Sequence, residues 1–269
     1  MKSKIFNVLK YIYLYGMMFG VIGSIGAQNS QPTKEQFTEM LRKADSMVTF
    51  QDSDFSAEYS FEQTIPGQGT NTKKSMVFRR DKDNTYLIVM TMPKSDKGKG
   101  YLKEDNKLWL YDPVSRRYIL TSAKDRFQNL NARNSDFTRS NLAGDYTVAS
   151  GVRQKLGRFD CWVLDLDAKT DDLTFPHMRI WVSADSLVRK TEDYSLSGKS
   201  PVRITAFPDY QKVGSRFVPT EVVIVDMLNG AMINGKFESE RTTYYITQPS
   251  LQPLPTSTFS KIYLEKLNE

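Results

Sequence analysis

The chain has 269 residues, of which 39% are hydrophobic and 25% charged, and its formal net charge is +6. These fractions are typical of a folded globular protein and exclude a wholly disordered, collagen-like or low-complexity chain. The net charge falls to +3 without the three lysines that precede or begin the first apolar run. Because nucleic-acid binding needs many clustered basic residues, we expect no nucleic-acid partner.

The N-terminus is typical of a secretory signal peptide. Lys2, Lys4 and Lys10 form the positive end, residues 11–25 supply the apolar stretch, and small residues lead to a cut near Ala27. The alternative is a retained membrane anchor, although the glycine-interrupted stretch is marginal for a bilayer-spanning helix of about 20 residues. We therefore predict a cleaved signal peptide over 1–27 and a single exported domain over 28–269.

One amphipathic helix is predicted directly after this lead-in. Thr33 and Gln36 match a capping box, in which the two side chains satisfy free amides at a helix start. The apolar residues that follow recur at three- and four-residue spacing, which places them on one face of a helix. These residues are Phe37, Met40, Leu41, Ala44 and Met47.

From residue 54 onward the apolar period changes to two, which is typical of half-buried strands. Phe55 to Phe61 alternates with polar residues, and short strand-like runs continue as far as Ile246. The polar stretch 124–145 interrupts them and predicts short helices lying across a sheet. Many strands with few helices and no linker predict a mainly β (α+β) chain with a single large curved antiparallel sheet. The few helices leave room for a cavity.

The sequence lacks the usual signatures of enzyme chemistry. It contains no nucleophile elbow, no H-E-x-x-H, no P-loop and no dinucleotide fingerprint. His177 is the only histidine and Cys161 the only cysteine, so neither a His-rich metal site nor an internal disulfide is predicted. We predict no catalytic residue, no metal and no cofactor. A pair of carboxylates for glycoside hydrolysis has no sequence signature and stays open.

Residues 104–113, with the sequence EDNKLWLYDP, resemble a hairpin of the LolA-like outer-membrane lipoprotein-sorting family. The runs 55–61, 76–80, 135–142 and 218–222 are also similar to that family, chiefly to its longer bacterial branch. The resemblance implies an incomplete β-barrel, with an N-terminal helix and short lid helices, whose concave apolar face shelters acyl chains. It also implies that an arginine at the end of the second strand controls the lid, and Arg79 or Arg80 matches that place.

A lipid-binding cavity is the site that the resemblance implies. Both faces of the strand 107–111 are apolar, so strand period alone does not decide which face lines the cavity. A two-residue turn at Asp105 and Asn106 places Tyr101, Leu108 and Leu110 on one face. The predicted inward set is Phe55, Tyr59, Phe61, Met76, Phe78, Ile88, Met90, Leu108, Leu110, Val223 and Val225.

These observations together predict a periplasmic carrier that binds acyl chains of lipoproteins, or other lipids, and delivers them to the outer membrane. The partners so implied are the lipid itself, an inner-membrane donor protein and an outer-membrane acceptor protein. One alternative is a lipid-responsive sensor or interaction module in the periplasm on the same scaffold. The other is an enzyme acting on lipid or glycan.

Overall fold

A computed structural model describes residues 31–104 and 106–268 of the chain. The predicted signal peptide and the turn residue Asp105 lie outside the described residues. Helix α1 (Lys34–Val48) begins as the sequence predicts. The Thr33 hydroxyl accepts the amide of Gln36, and the Gln36 side chain accepts the amide of Thr33. The capping box therefore sets the start of the helix.

The described residues form fifteen strands, a second helix α2 (Leu142–Asp145) and a third helix α3 (Lys261–Lys266). The strands are β1 (Phe55–Ile65), β2 (Gly69–Arg80), β3 (Thr85–Met92), β4 (Gly100–Glu104), β5 (Lys107–Asp112), β6 (Arg117–Thr121), β7 (Tyr146–Leu156), β8 (Phe159–Ala168), β9 (His177–Ser183), β10 (Val188–Tyr194), β11 (Pro201–Ala206), β12 (Tyr210–Val213), β13 (Arg216–Pro219), β14 (Glu221–Ile233) and β15 (Lys236–Ser250). Short 3-10 helices lie at Asp81–Asp83, Phe127–Asn129, Asn134–Phe137 and Thr256–Phe259.

Thirteen of these strands form one antiparallel sheet that does not close into a barrel, which confirms the predicted fold class. The strand order is β6-β5-β4-β3-β2-β1-β15-β14-β11-β10-β9-β8-β7, while β12 and β13 pair separately. Strands β6 and β7 are consecutive in the chain but lie at opposite edges of the sheet. The connection between them, residues 122–145, must therefore cross the whole sheet. We call these residues the covering segment.

The covering segment and α1 lie on one face of the sheet, here called the inner face. Tyr101, Leu108 and Leu110 share this face, as the two-residue turn predicts, and Glu104 pairs with Lys107 on either side of that turn. The opposite, outer face is covered by the C-terminal residues. On that face Leu264 of α3 is fully buried beside neighbours such as Leu102 and Tyr111.

Four residues of the predicted inward set lie on the outer face, so the prediction is wrong for them. Val77 belongs to the inner core, and its strand neighbours Met76 and Phe78 therefore point the other way. Phe78 packs in the outer cluster around Leu87 and Leu102. In β14 the inner residues are Val222 and Ile224, which places Val223 and Val225 on the outer face. Both faces of these strands are buried and apolar, so the alternation of residues in the sequence does not show which face is the inner one.

Within the described part of the chain, no helix combines the length and the apolar composition that crossing a bilayer requires.

Candidate functional site

The first part of the covering segment, residues 126–132, packs closely against the inner face. Phe127 is fully buried, and its ring centroid lies 4.7 Å from that of Tyr101 and 5.6 Å from that of Phe61. The amide of Asn131 donates to the hydroxyl of Thr242 at 3.0 Å, and that hydroxyl donates to the Asn131 side chain at 2.9 Å. Close packing and satisfied hydrogen bonds make this part resemble the core of a protein.

The second part of the covering segment, residues 133–145, packs Phe137 into the inner core but otherwise spans a cavity. The cavity has a volume of about 320 Å³ and lies between these residues, the end of α1, and the central strands. This volume is at the lower end of the range of roughly 300–1,000 Å³ found for small-molecule sites. Its apolar wall includes Ala44, Phe50, Phe55, Tyr59, Tyr244 and Ile246.

The structure separates the predicted site residues into three places. Phe55, Tyr59 and Arg79 line the cavity. Met76, Phe78, Val223 and Val225 lie on the outer face, as described above. The remaining members of the set belong to the inner core near the packed residues 126–132 and do not form the cavity wall. They are Phe61, Ile88, Met90, Leu108 and Leu110.

Arg79 points into the cavity from the end of β2. Its guanidinium binds both carboxylate oxygens of Asp81 at 3.0 and 2.7 Å and lies 5.6 Å from the centre of the Phe55 ring. Burial opposes the charged guanidinium, yet the Asp81 carboxylate outweighs this effect and raises the pKa of Arg79. Asp81 in turn accepts the amide of Phe50 at 2.8 Å. Arg79 and Asp81 thus connect the end of β2 to the chain that follows α1, beside the cavity.

Arg80, the neighbouring candidate for lid control, lies on the outer face. Its guanidinium binds the carboxylate of Asp54 at 2.8 Å twice, the carbonyl of Leu254 at 2.6 Å, and stacks 4.7 Å from the centre of the Phe259 ring. These contacts hold the C-terminal residues against the start of β1. Of the two arginines, only Arg79 is placed where it could influence the cavity.

Arg203, which no sequence motif singles out, joins the sheet to the covering segment. It lies on β11 and lines the cavity. Its Nε donates to Asp193 Oδ2 at 2.6 Å, and its terminal nitrogens donate to the two oxygens of Asp136 at 2.7 and 3.0 Å. Asp193 is paired with Arg203 across β10 and β11, whereas Asp136 belongs to the covering segment. One guanidinium therefore serves a carboxylate of the sheet and a carboxylate of the cover.

Burial shifts the pKa values within the group formed by Arg203, Asp193 and Asp136. Asp193 is fully buried, and burial raises the pKa of its carboxyl even though Arg203 opposes the shift. Burial also disfavours the charged form of Arg203, but its two carboxylate partners outweigh that effect and raise its pKa. With both carboxylates ionised the group carries one excess negative charge, and Oδ1 of Asp193 has no hydrogen-bond partner among the described residues.

Two further contacts hold the two ends of the covering segment. Arg126 forms an ion pair with Asp226 at the end of the β11–β14 pairing. At the other end, the Asp45 carboxylate of α1 accepts the amides of Leu142 and Ala143 at 2.8 and 2.9 Å, which caps the first turn of α2. Helix α1 and residues 133–145 are therefore bonded to each other and enclose the cavity together.

The cavity can bind an apolar molecule, since its walls are mainly aromatic and aliphatic and two of its arginines, Arg79 and Arg203, are paired with carboxylates. A third arginine in the lining, Arg139, donates to the carbonyl of Asp81 at 3.4 Å. Burial raises the pKa of Tyr59 to about 12, so its phenol stays neutral at physiological pH. Among the described residues, no group of three or more His, Cys, Asp and Glu side chains is arranged to hold a metal ion. The arrangement favours binding by burial of apolar surface.

A family model described as an uncharacterized protein matches residues 82–266. The chain belongs to that family. A comparison with curated proteins gives no match.

Solved structures show that the fold is LolA-like. A LolA superfamily protein from Nitrosomonas europaea is 23% identical, with a TM-score of 0.70, over 84% of this chain and 97% of that chain. A domain assigned as an outer membrane lipoprotein-sorting protein from Vibrio parahaemolyticus is 16% identical, with a TM-score of 0.75, over 87% and 100%. A DUF1329 family protein from Desulfovibrio piger is 17% identical, with a TM-score of 0.72, over 84% and 97%. The LolA-like resemblance is thus confirmed as a likeness of fold.

Proposed function

We propose that this LolA-like chain is a carrier that binds acyl chains of lipoproteins, or of other lipids, in its inner cavity and delivers them to the outer membrane. The observation that carries the proposal is an apolar cavity enclosed between the sheet, α1 and residues 133–145. An acyl chain in water costs about 0.8 kcal/mol per CH₂. A carrier between two membranes must therefore keep that surface covered. The proposed role requires no catalytic group, metal or cofactor.

Release of a lipid requires the cover to separate from the sheet. When residues 133–145 move away, Asp136 leaves with them and becomes hydrated. Arg203 keeps Asp193 as its partner, so no uncompensated charge is left on the floor of the cavity. Leaving a lone buried charge is the usual large cost of breaking a buried ion pair. The shared arginine thus supports opening without that cost.

We propose further that residues 1–27 are a signal peptide removed on export and that 28–269 act as one lipid-binding domain in the periplasm. The sequence pattern at the N-terminus supports this proposal. Intact mass measurement of the chain purified after export tests it. A mass that corresponds to a start near Gln28 is expected, and retention of the N-terminal segment would contradict it.

Binding of a fluorescent fatty acid to the delipidated chain tests the proposed cavity. Thr191 lines the cavity from β10, and Thr191→Phe fills part of it. We expect this variant to bind the probe about tenfold or more weakly, because the apolar burial of the probe is lost. Thr243→Phe is the matched control, since Thr243 lies on a strand with its side chain on the outer face. Equal binding by the two variants, or no binding by the wild-type chain, would overturn the proposal.

A second experiment addresses delivery. The chain is loaded with the same fluorescent fatty acid and mixed with outer-membrane vesicles, and the transfer of fluorescence is followed. We expect transfer to the vesicles, and loading without any transfer would contradict delivery while leaving lipid binding intact.

A further inference from the structure

The hairpin formed by residues 227–240 projects beyond the rest of the sheet. Strand β1 pairs with β15 only as far as Arg241, and β11 pairs with β14 only as far as Asp226. Beyond these two residues, β14 and β15 pair with each other and with no other described strand. An isolated two-stranded hairpin is marginally stable in water, so a projecting one needs a function or a supporting surface.

One face of this projecting hairpin is apolar and exposed. Met232 pairs with Phe237 across the two strands, so both side chains point to the same face. Met232 is 64% exposed and Phe237 is 45% exposed. Leu228, at the base of the hairpin, is 69% exposed. Exposed side chains of this kind, grouped at one end of a molecule, mark a contact surface rather than a core.

Few charged residues surround this apolar face. Within the hairpin only Lys236, Glu238 and Glu240 are charged, and residues 63–72 at the adjacent β1–β2 tip have no charged side chain. The two tips lie side by side, because a Cβ placed on Gly67 would be 3.7 Å from Ile233 Cδ1. These three charged residues alternate with Phe237 along β15 and therefore belong to the other face. Uncharged polar residues around an apolar tip fit the interfacial layer of a bilayer.

The size of the patch favours a lipid surface over a protein partner. Three partly exposed side chains offer at most roughly a few hundred Å². A specific protein–protein interface buries about 1,200–2,000 Å² in total. A bilayer, in contrast, needs only a few inserted side chains, because each one buries its apolar surface in the membrane.

We propose that the projecting hairpin docks the protein on a lipid bilayer by inserting Leu228, Met232 and Phe237 into its interface. This docking role is separate from the carrier function and does not depend on the cavity. The base of the hairpin is also bonded to the cover. Asp226 accepts the amides of Leu228 and Asn229 at 2.9 Å and forms the ion pair with Arg126. Docking therefore takes place next to one fixed end of the covering segment.

Sedimentation with vesicles of equal parts phosphatidylcholine and phosphatidylglycerol tests the proposal on the delipidated chain purified after export. We expect the wild-type chain to bind and Met232→Asp/Phe237→Asp to bind about 100-fold more weakly, since each lost side chain accounts for about tenfold. Val114→Asp/Leu196→Asp is the matched control, because these residues are 92% and 84% exposed on other turns. This control should bind like the wild-type chain.

An environment-sensitive fluorophore locates the contact. Met232→Cys can be labelled selectively, since Cys161 is buried and burial raises the pKa of its thiol to about 11. A label at position 232 should shift to the blue on vesicles, and one on Leu196→Cys should not. Absence of wild-type binding, or equal binding of the hairpin and control variants, would overturn the proposal; a protein would then be the next partner to test. Fatty-acid binding is a separate readout, so its loss would reject the carrier function alone.

Discussion

The two parts of the covering segment meet the same sheet in different ways. Residues 126–132 fill the space beneath them with side chains such as Phe127 and Leu130, both fully buried. Residues 133–145 bury a single aromatic ring, Phe137, beside a cavity and are also held by Asp136, whose partner Arg203 binds a carboxylate of the sheet as well. The first part resembles a protein core, and the second resembles a cover over a binding site.

This difference decides which part can separate from the sheet. Exposing a large apolar side chain costs about 1.5–3 kcal/mol, so separating residues 126–132 would cost several such amounts. Separating residues 133–145 exposes one large aromatic side chain of the inner core, Phe137, and exchanges hydrogen bonds to Asp136 for hydrogen bonds to water. The total cost is smaller than for residues 126–132, because fewer buried apolar side chains are exposed. We infer that the first part is the fixed anchor and that the second part opens.

Phe127→Ala should have the largest effect on stability. The ring lies among Tyr101, Phe61 and Phe137. Its loss leaves a cavity and should lower the free energy of unfolding by about 3–5 kcal/mol. Denaturant unfolding measures the change. Phe237→Ala is the control, because its side chain is 45% exposed and its loss should cost far less. A loss of under about 1 kcal/mol for Phe127→Ala would show that residues 126–132 are not an anchor.

The sequence predicts the strands and the element that crosses them, but it does not predict which face of the sheet is the inner one. Alternation identifies the strands, and the polar stretch 124–145 identifies the element that crosses them. The inner face is harder to recognise, because Val77 and Phe78 are both apolar and both packed. The C-terminal helix causes this ambiguity by covering the outer face with Leu264. In a sheet with one solvent-exposed face, that face would be polar in the sequence, and the inner face could be assigned from it.

The cavity is predicted less well than the fold, since it depends on which residues the covering segment fills. Phe55 and Tyr59 line it, while Phe61, two positions further along the same face, lies under Phe127. The sequence contains no signal for that boundary. Arg203 could be placed on the opposite face from Ile204 by alternation, but its partner Asp136 is distant in the chain and comes near only through the crossing connection.

Asp136→Asn should have an intermediate effect, because it weakens only the attachment of residues 133–145 to the sheet. The variant removes the charge that binds Arg203 at 2.7 and 3.0 Å, and hydrogen bonds to charged groups are worth about 1.5–3 kcal/mol. Arg203 keeps Asp193, so the floor of the cavity stays intact. Release of a bound fluorescent fatty acid, followed in stopped flow, should become about tenfold or more faster.

Asp209→Asn is the matched control for that measurement. Asp209 also pairs with an arginine, Arg158 at 3.1 Å, but the two side chains are exposed. Exposed ion pairs contribute about 0–1 kcal/mol, so its release rate should match that of the wild-type chain. Unchanged release in Asp136→Asn would mean that the Asp136–Arg203 contact does not limit opening.

Asp45→Ala should have the smallest effect, a loss of about 1 kcal/mol in stability, because it removes a cap on the four-residue helix α2. Hydrogen exchange at the amides of Leu142 and Ala143 should become faster. If α1 and residues 133–145 open together, Asp45→Ala alone should hardly change the release of the fatty acid, since that contact stays within the moving unit. If α1 stays behind, the contact must break during opening, and Asp45→Ala should speed release and add to the effect of Asp136→Asn. The combined variant therefore decides whether the helix is part of the cover that moves or part of the wall that remains.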